Sequence, residues 1–287
     1  METLTPMNAI HDPREMLSTR DLIAVVVLGD EVRRRMHGAR TTFVRVFEIH
    51  VEAPPSALPP GVAAGEFRIV GRPASAGAAT AAVAAAAALS GATPLTGFSL
   101  RDLRALAPTL GSFVVLCGGL RAAGLHAIAD TSLEGIADLA EAILAAREAG
   151  LAVERMTVDA MPDDQRIATV ERARDLQAAV GGFRAFAPLP RRMSVTEPTT
   201  GYDDVKQIAL ARVVVSNIDS IQVDWPLYGP KLAQVALTVG ADDVDGIAGV
   251  DSGALGTRRS PIEEIRGNIR AAALEAVERN GRFELMS

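Results

Sequence analysis

Phe183-Arg-Ala-Phe-Ala-Pro188, Ser220-Ile-Gln-Val-Asp224 and Val244-Asp-Gly-Ile-Ala248 are three runs of strand length, and the segments between them, 202–216 and 230–239, are patterned as helices. Strand and helix alternating at this spacing is the signature of parallel β-α-β units. The same beat runs upstream. Strands are predicted at 42–51, 67–70, 94–97, 125–129 and 152–158. They are separated by helices at 76–89, 100–107 with 112–123, 133–149 and 164–180, and a last helix is predicted at 261–279. That makes eight strands, enough to close, and the fold class is α/β: a single (βα)8 TIM-type barrel. An open doubly wound sheet is the alternative, but no G-x-G-x-x-G follows a strand, and Gly118-Gly119 sits inside a helix pattern.

Before the first strand, 14–37 reads as helices with Ser18 or Thr19 as caps and Gly38 as the stop. The organisation expected is an N-terminal helical extension over 1–41, followed by the barrel with its C-terminal helix over 42–287. At 287 residues the chain can bury a full core, and with 48% apolar but only 4% aromatic residues that core must be packed by Ala, Val, Leu and Ile. A formal net charge of −6 gives no basic surface for nucleic acid or an anionic membrane. The acidic N-terminal 21 residues lack an apolar signal core, and the longest apolar stretch, 78–89, is too short to span a bilayer, so a cytoplasmic protein is expected. Cys117 is the only cysteine, which excludes an internal disulfide, a thiolate-rich zinc site and an iron–sulfur cluster held by this chain's own thiols.

The C-terminal half carries recognisable text: Gly181-Gly-Phe-Arg-Ala-Phe-Ala-Pro-Leu189, Gly201-Tyr-Asp-Asp204 leading into Ile208-Ala-Leu-Ala-Arg212, Trp225-Pro-Leu-Tyr-Gly-Pro-Lys-Leu-Ala-Gln234, and Gly240-Ala-Asp-Asp-Val-Asp-Gly246. Over 176–246 the chain resembles aminofutalosine synthase, the futalosine cyclase and the deazaflavin-forming enzymes, a branch of the radical S-adenosylmethionine superfamily. Asp30-Glu-Val-Arg-Arg-Arg-Met-His-Gly38 resembles the helix before that family's first barrel strand. The resemblance implies a three-cysteine C-x3-C-x2-C loop after the first strand, yet here it reads Glu52-Ala-Pro-Pro-Ser-Ala-Leu-Pro-Pro60. The family's glycine-rich turn after the fourth strand appears as Ala129-Asp-Thr-Ser132 followed by Glu134, and its last His- and Met-bearing loop as Val250-Asp-Ser-Gly-Ala-Leu-Gly-Thr257. These losses weigh against S-adenosylmethionine binding, and no cofactor or metal is expected.

Barrel sites gather at the C-terminal ends of strands. Asp224, Trp225 and Tyr228 after the seventh strand, with Arg191 and Glu134, are the predicted ligand contacts, Trp225 stacking an aromatic or purine ring and Asp224 accepting from hydroxyls. His50, Asp159 and Asp224 are the catalytic candidates, with Glu52 and His126 nearby in the pattern: a histidine and carboxylates converging across the mouth suit acid–base work. Asp242, Asp243 and Asp245, with Asp251 nearby, could bind Mg2+, but Asp242 and Asp243 precede the eighth strand and read better as turn caps; Asp245 could point inward, where it needs a cationic partner, with Arg212 or Lys231 as the candidates. Cys117 reads as a small buried hydrophobe, and without a G-x-S-x-G elbow neither Ser132 nor Ser252 reads as a nucleophile. The expected function is a cluster-free homologue that binds a small aromatic or nucleoside intermediate in or beside futalosine-dependent menaquinone synthesis. It would act through non-radical chemistry, or as a non-catalytic partner of an intact paralogue or of itself.

Overall fold

The computed structural model describes residues 12–192, 200–250 and 261–286. Its strands are β1 (Arg40–His50), β2 (Glu66–Val70), β3 (Leu95–Ser99), β4 (Ala127–Ser132), β5 (Ala152–Val153), β6 (Arg155–Val158), β7 (Ala185–Pro190), β8 (Ser220–Asp224), β9 (Asp243–Ala248) and β10 (Glu275–Glu278). All pair in parallel, in the order β1-β2-β3-β4-β6-β7-β8-β9, and β9 returns to β1, closing an eight-strand barrel. The predicted strand at 152–158 is split at Glu154 into β5 and β6, both against β4. Helices α3 (Ala76–Ser90), α5 (Leu110–Ala122), α6 (Leu139–Glu148), α7 (Arg166–Val180), α8 (Gly201–Val214) and α9 (Trp225–Leu237) form the outer ring, with the short α4 (Leu100–Leu106) directly after β3. Among the described residues no single helix is long and apolar enough to cross a membrane.

The N-terminal helices are α1 (Pro13–Ser18) and α2 (Leu22–His37), capped not by Ser18 or Thr19 but by Asp12 and Asp21, whose carboxylates accept from Arg14 N and Ala24 N. Thr19 instead accepts from the Asp21 amide. A carboxylate both caps and complements the positive helix end, so it outcompetes a hydroxyl one residue away. Lys206 of α8 donates to the carbonyls of Leu17 and Thr19, tying this pair to the ring.

The largest departure from the predicted elements is at the C-terminus. The helix expected over 261–279 is α10 (Pro261–Ala271), ending where Ala273 takes φ +59° and Leu274 N donates to Ile269 O. Residues 275–278 then pair with Arg40–Phe43 of β1 as β10. The Ala-Leu-Glu-Ala composition favours a helix locally, but β1 is long enough to offer an unpaired lower half, and pairing it outweighs propensity.

β10 delivers Arg279 to the barrel floor, where its Nε and Nη2 reach Asp243 Oδ1 and Oδ2 at 2.6 and 2.7 Å. Thr42 and Gln222 complete the Asp243 carboxylate. Asp242 beside it is buried, pairs with Arg212 and accepts from Ile221 N at 2.9 Å, so these two acids are buried ion-pair members rather than surface turn caps.

Above the floor lie Glu66, Arg68, Arg155 and Asp245, all buried. Asp245 faces the interior as predicted, but its partners are Arg68, bidentate at 2.8 and 2.9 Å, and Arg155 at 3.3 Å. Arg212 is occupied below, and Lys231 is exposed on α9. Glu66 bonds Arg68 at 2.8 Å and Thr96 at 2.6 Å, with Arg155 at 3.4 Å. Leaving one partner of such a pair alone in the interior costs several kcal/mol. Arg279→Met is therefore expected to lower unfolding free energy by about 3–5 kcal/mol in urea titration, and adding Asp243→Asn is expected to return part of that loss.

Candidate functional site at the barrel mouth

The C-terminal strand ends enclose a cavity of about 420 Å3 lined by Glu48, Arg68, Phe98, Asp130, Arg191 and Asp224 among others. Strand geometry places these groups: Glu48 and Arg68 extend the inward-facing rows of β1 and β2, and Asp224 ends β8 directly opposite Asp245 in the β8–β9 register. Phe98 holds φ +59°, a strained backbone for a bulky residue, at the cavity wall.

Arg191 is the bridge. Its Nη1 lies 2.8 Å from Asp130 and its Nη2 4.0 Å from Asp224, while its backbone N–H donates to Val158 O. Asp224 Oδ1 also accepts from Leu227 N at 3.0 Å, capping α9. Burial, and then the negative charge of Asp245, push the Asp224 carboxyl above its usual range against the pull of Leu227 N–H and Arg191. Burial acts on Asp245 too, but Arg155 and Arg68 outweigh it and hold that carboxyl well below the usual range. Two neighbouring carboxylates with values driven apart are the arrangement that separates a proton carrier from a permanent charge.

A second cluster sits at the neighbouring strand ends. Glu134 Oε2 accepts from Ser132 Oγ at 2.5 Å and from Asp159 N at 3.0 Å. Asp159 pairs with Arg101 and, at 3.3 Å, with Arg192. Asp159 and Glu134 thus belong together, apart from the Asp224–Arg191–Asp130 group, and both carboxylates are already engaged by fixed donors.

The remaining predicted residues stand elsewhere. His50 ends β1 with its side chain 62% exposed, 3.9 Å from Glu48, and does not line the cavity. His126 precedes β4, near Glu154 at 3.9 Å, so neither it nor His50 joins the carboxylates at the mouth, and the expected convergence of a histidine with carboxylates is not formed. Trp225 opens α9, half-buried against the core, and is not in the cavity lining. Tyr228 spends its hydroxyl on the Pro190 carbonyl at 2.5 Å, and burial pushes its phenol up. α9 starts at Trp225 rather than 230, with a kink at Gly229, and both rings pack partly buried against the core. Glu48, Arg68 and Asp130 were missed, although charges at alternate positions of barrel strands could have revealed the first two. Residues 251–257 of the predicted last loop, with Asp251 and Ser252, lie outside the described residues.

The donor set does not fit an iron–sulfur cluster. The segment after β1, 51–65, contains no thiol. Cys117 is buried on α5, where burial pushes its thiol up to about 12. Soft iron needs thiolates, and a thiol so disposed is not one.

The fold is shared with solved (βα)8 barrels. It superposes on the FeFe-hydrogenase maturase HydG from Carboxydothermus hydrogenoformans with a TM-score of 0.65 at 10% identity, over 95% of this chain and 76% of that one. With methylornithine synthase (PylB) the score is 0.62 at 12% identity, over 92% and 93%. These identities speak for the fold alone. In sequence, residues 182–287 match the CofH/MqnC C-terminal region. The aminodeoxyfutalosine synthase of Streptomyces coelicolor is 32% identical over 142 residues, 42% of this chain and 37% of that protein. That of Thermus thermophilus is 38% identical over 92 residues, 29% and 25%. The cyclic dehypoxanthine futalosine synthase of S. coelicolor is 33% identical over 128 residues, 42% and 32%. The chain is thus similar to these synthases over 29–42% of its own length and spans only about a quarter to two fifths of theirs.

The raised Asp224 carboxyl has a consequence for stability. A proton held more tightly in the folded state means that ionising Asp224 opposes folding. Its contribution is present below the ordinary carboxylate value and lost as pH rises through the folded one. Asp224→Asn, neutral and still able to cap α9, is expected to gain melting temperature over the parent as pH is raised above about 4, with the difference shrinking below that.

Proposed function

We propose that this chain is a cluster-free relative of aminofutalosine synthase that binds a nucleoside-type intermediate of futalosine-dependent menaquinone synthesis and moves a proton at Asp224. The observation that carries this reading is the Asp224–Asp245 pair at the end of an open cavity, one carboxyl raised and its neighbour kept ionised by two arginines. A raised carboxyl keeps its proton at pH values where an ordinary aspartate has lost it, and so can give it and take it back.

The mouth also favours one kind of ligand. Arg68 is taken up by Asp245 and Glu66, and Arg191 is paired with Asp130 and faces Asp224, so the groups with free acceptor capacity are carboxylates. They suit hydroxyl and amino donors, as on a ribose, and repel an anion placed deep in the cavity. A ligand carboxylate is left to the exposed guanidinium groups of Arg72 and Arg192 at the rim. The thiol-free segment after β1 supports chemistry without a radical, and the resemblance to the sequence relatives supports the pathway.

Thermal shift with aminodeoxyfutalosine and with dehypoxanthine futalosine tests this. A ligand at about one hundred times its dissociation constant stabilises by roughly 2.7 kcal/mol, and the shift is expected to collapse in Asp130→Ala with Asp224→Ala. Absence of any shift would sink the reading. So would stoichiometric iron and sulfide, with cleavage of S-adenosylmethionine, after anaerobic reconstitution of the isolated chain.

A further inference from the structure

Glu48 lines two cavities. Besides the polar mouth it edges a second one of about 330 Å3, walled by Val46, Pro226, Gly246, Ala248, Gly249 and Val250. Among the described residues Glu48 is the one charged residue in this second lining, so the two spaces share a polar seam and differ in character on either side of it.

The apolar space is kept open by backbone. Gly246 has φ +77°, and a Cβ there would stand 2.7 Å from Pro226 Cδ. The proline at the start of α9 thus seats directly on the β9 main chain. A Cβ on Gly249 would stand 3.0 Å from the Val46 carbonyl and 2.9 Å from Ala64 Cβ, because Gly249 N donates to Val46 O at 2.8 Å. Neither position admits a side chain, and Ala248 between them is small and exposed. The volume is that of a small ligand pocket, with room for one or two fused rings. Among the described lining residues an anionic ring would meet a carboxylate and no cation.

We propose that this compartment holds a flat, uncharged aromatic ring, whose hydroxyl-bearing end passes Glu48 and reaches the mouth beside Asp224. The inference rests on the mouth being a ligand site and adds where the ring lies: on Pro226, Val46 and Ala248, not on Trp225. The ligand class is a neutral heteroaromatic ring joined to a polyol, and the separation of compartments makes the two halves separately testable.

Ala248→Cys provides the test, because Cys117 is buried and a thiol at 248 becomes the only accessible one. Its alkylation by iodoacetamide is followed by mass spectrometry with indole (ring alone), ribose (polyol alone) and adenosine (both). Indole and adenosine are each expected to slow alkylation about tenfold at about ten times their dissociation constants, while ribose leaves the rate unchanged. Adding Asp224→Asn is expected to weaken protection by adenosine and not by indole. Unchanged alkylation in the presence of both ring compounds would overturn the proposal. Adenosine that shifts the parent's melting temperature without protecting position 248 overturns the compartment and leaves the mouth reading standing. Protection by indole, with adenosine protection indifferent to Asp224→Asn, supports the compartment and contradicts the role given to Asp224.

Discussion

The interior of this barrel is organised around charge. Three carboxylates, Glu66, Asp243 and Asp245, meet three guanidinium groups, Arg68, Arg155 and Arg279, inside the strands where layers of branched apolar side chains are usual. No member can be buried alone, since desolvating one unpaired charge costs several kcal/mol. The set therefore has to assemble together, which requires β2, β6, β9 and the C-terminal β10 to be in register at once. The closed barrel and its balanced interior are one constraint seen from two sides.

From that constraint the two ends of the barrel acquire different work. At the floor, Arg279 engages both oxygens of Asp243 and Arg212 pairs with Asp242, so these carboxylates serve buried ion pairs. Toward the mouth, Arg68 and Arg155 fix Asp245 as a permanent negative charge, and Asp224, next to it across the β8–β9 ladder, bears the consequence. The proton-holding property of Asp224 thus comes first from its own burial and then from the fixed charge of Asp245, which does not itself line the cavity. Beside this charged axis, the β1–β9 seam offers a neutral space built from glycines and a proline.

Most of the architecture is legible in the sequence because strand and helix periods alternate cleanly from 42 to 248, and eight such units have few ways to pack. The C-terminal strand is not legible: 272–279 has helical composition, and only the unpaired lower half of β1 makes it a strand. The site is partly legible. Asp224, Arg191, Glu134 and Asp159 do stand at strand ends, but local pattern cannot say that they form two groups, or that Asp159 is engaged by Arg101 and Arg192. Trp225 reads as a stacking platform from its place in a motif, whereas the helix start at that residue puts it against the core. The partners of Asp245 come from strands 90 and 177 residues away in sequence, Arg155 and Arg68. The signal was the alternation Glu66-x-Arg68 and Asp243-x-Asp245: in a strand whose outer face is covered by helices, every second residue faces inward.

Site-resolved carboxyl NMR across pH, following the side-chain carbons of Asp224 and Asp245 in the intact chain, tests the central claim most directly. The account predicts that Asp245 remains ionised throughout the range in which the protein stays folded, while Asp224 titrates above the ordinary aspartate range and returns toward it in Asp245→Asn. An Asp224 that titrates at or below the ordinary value, or one indifferent to Asp245, would contradict it.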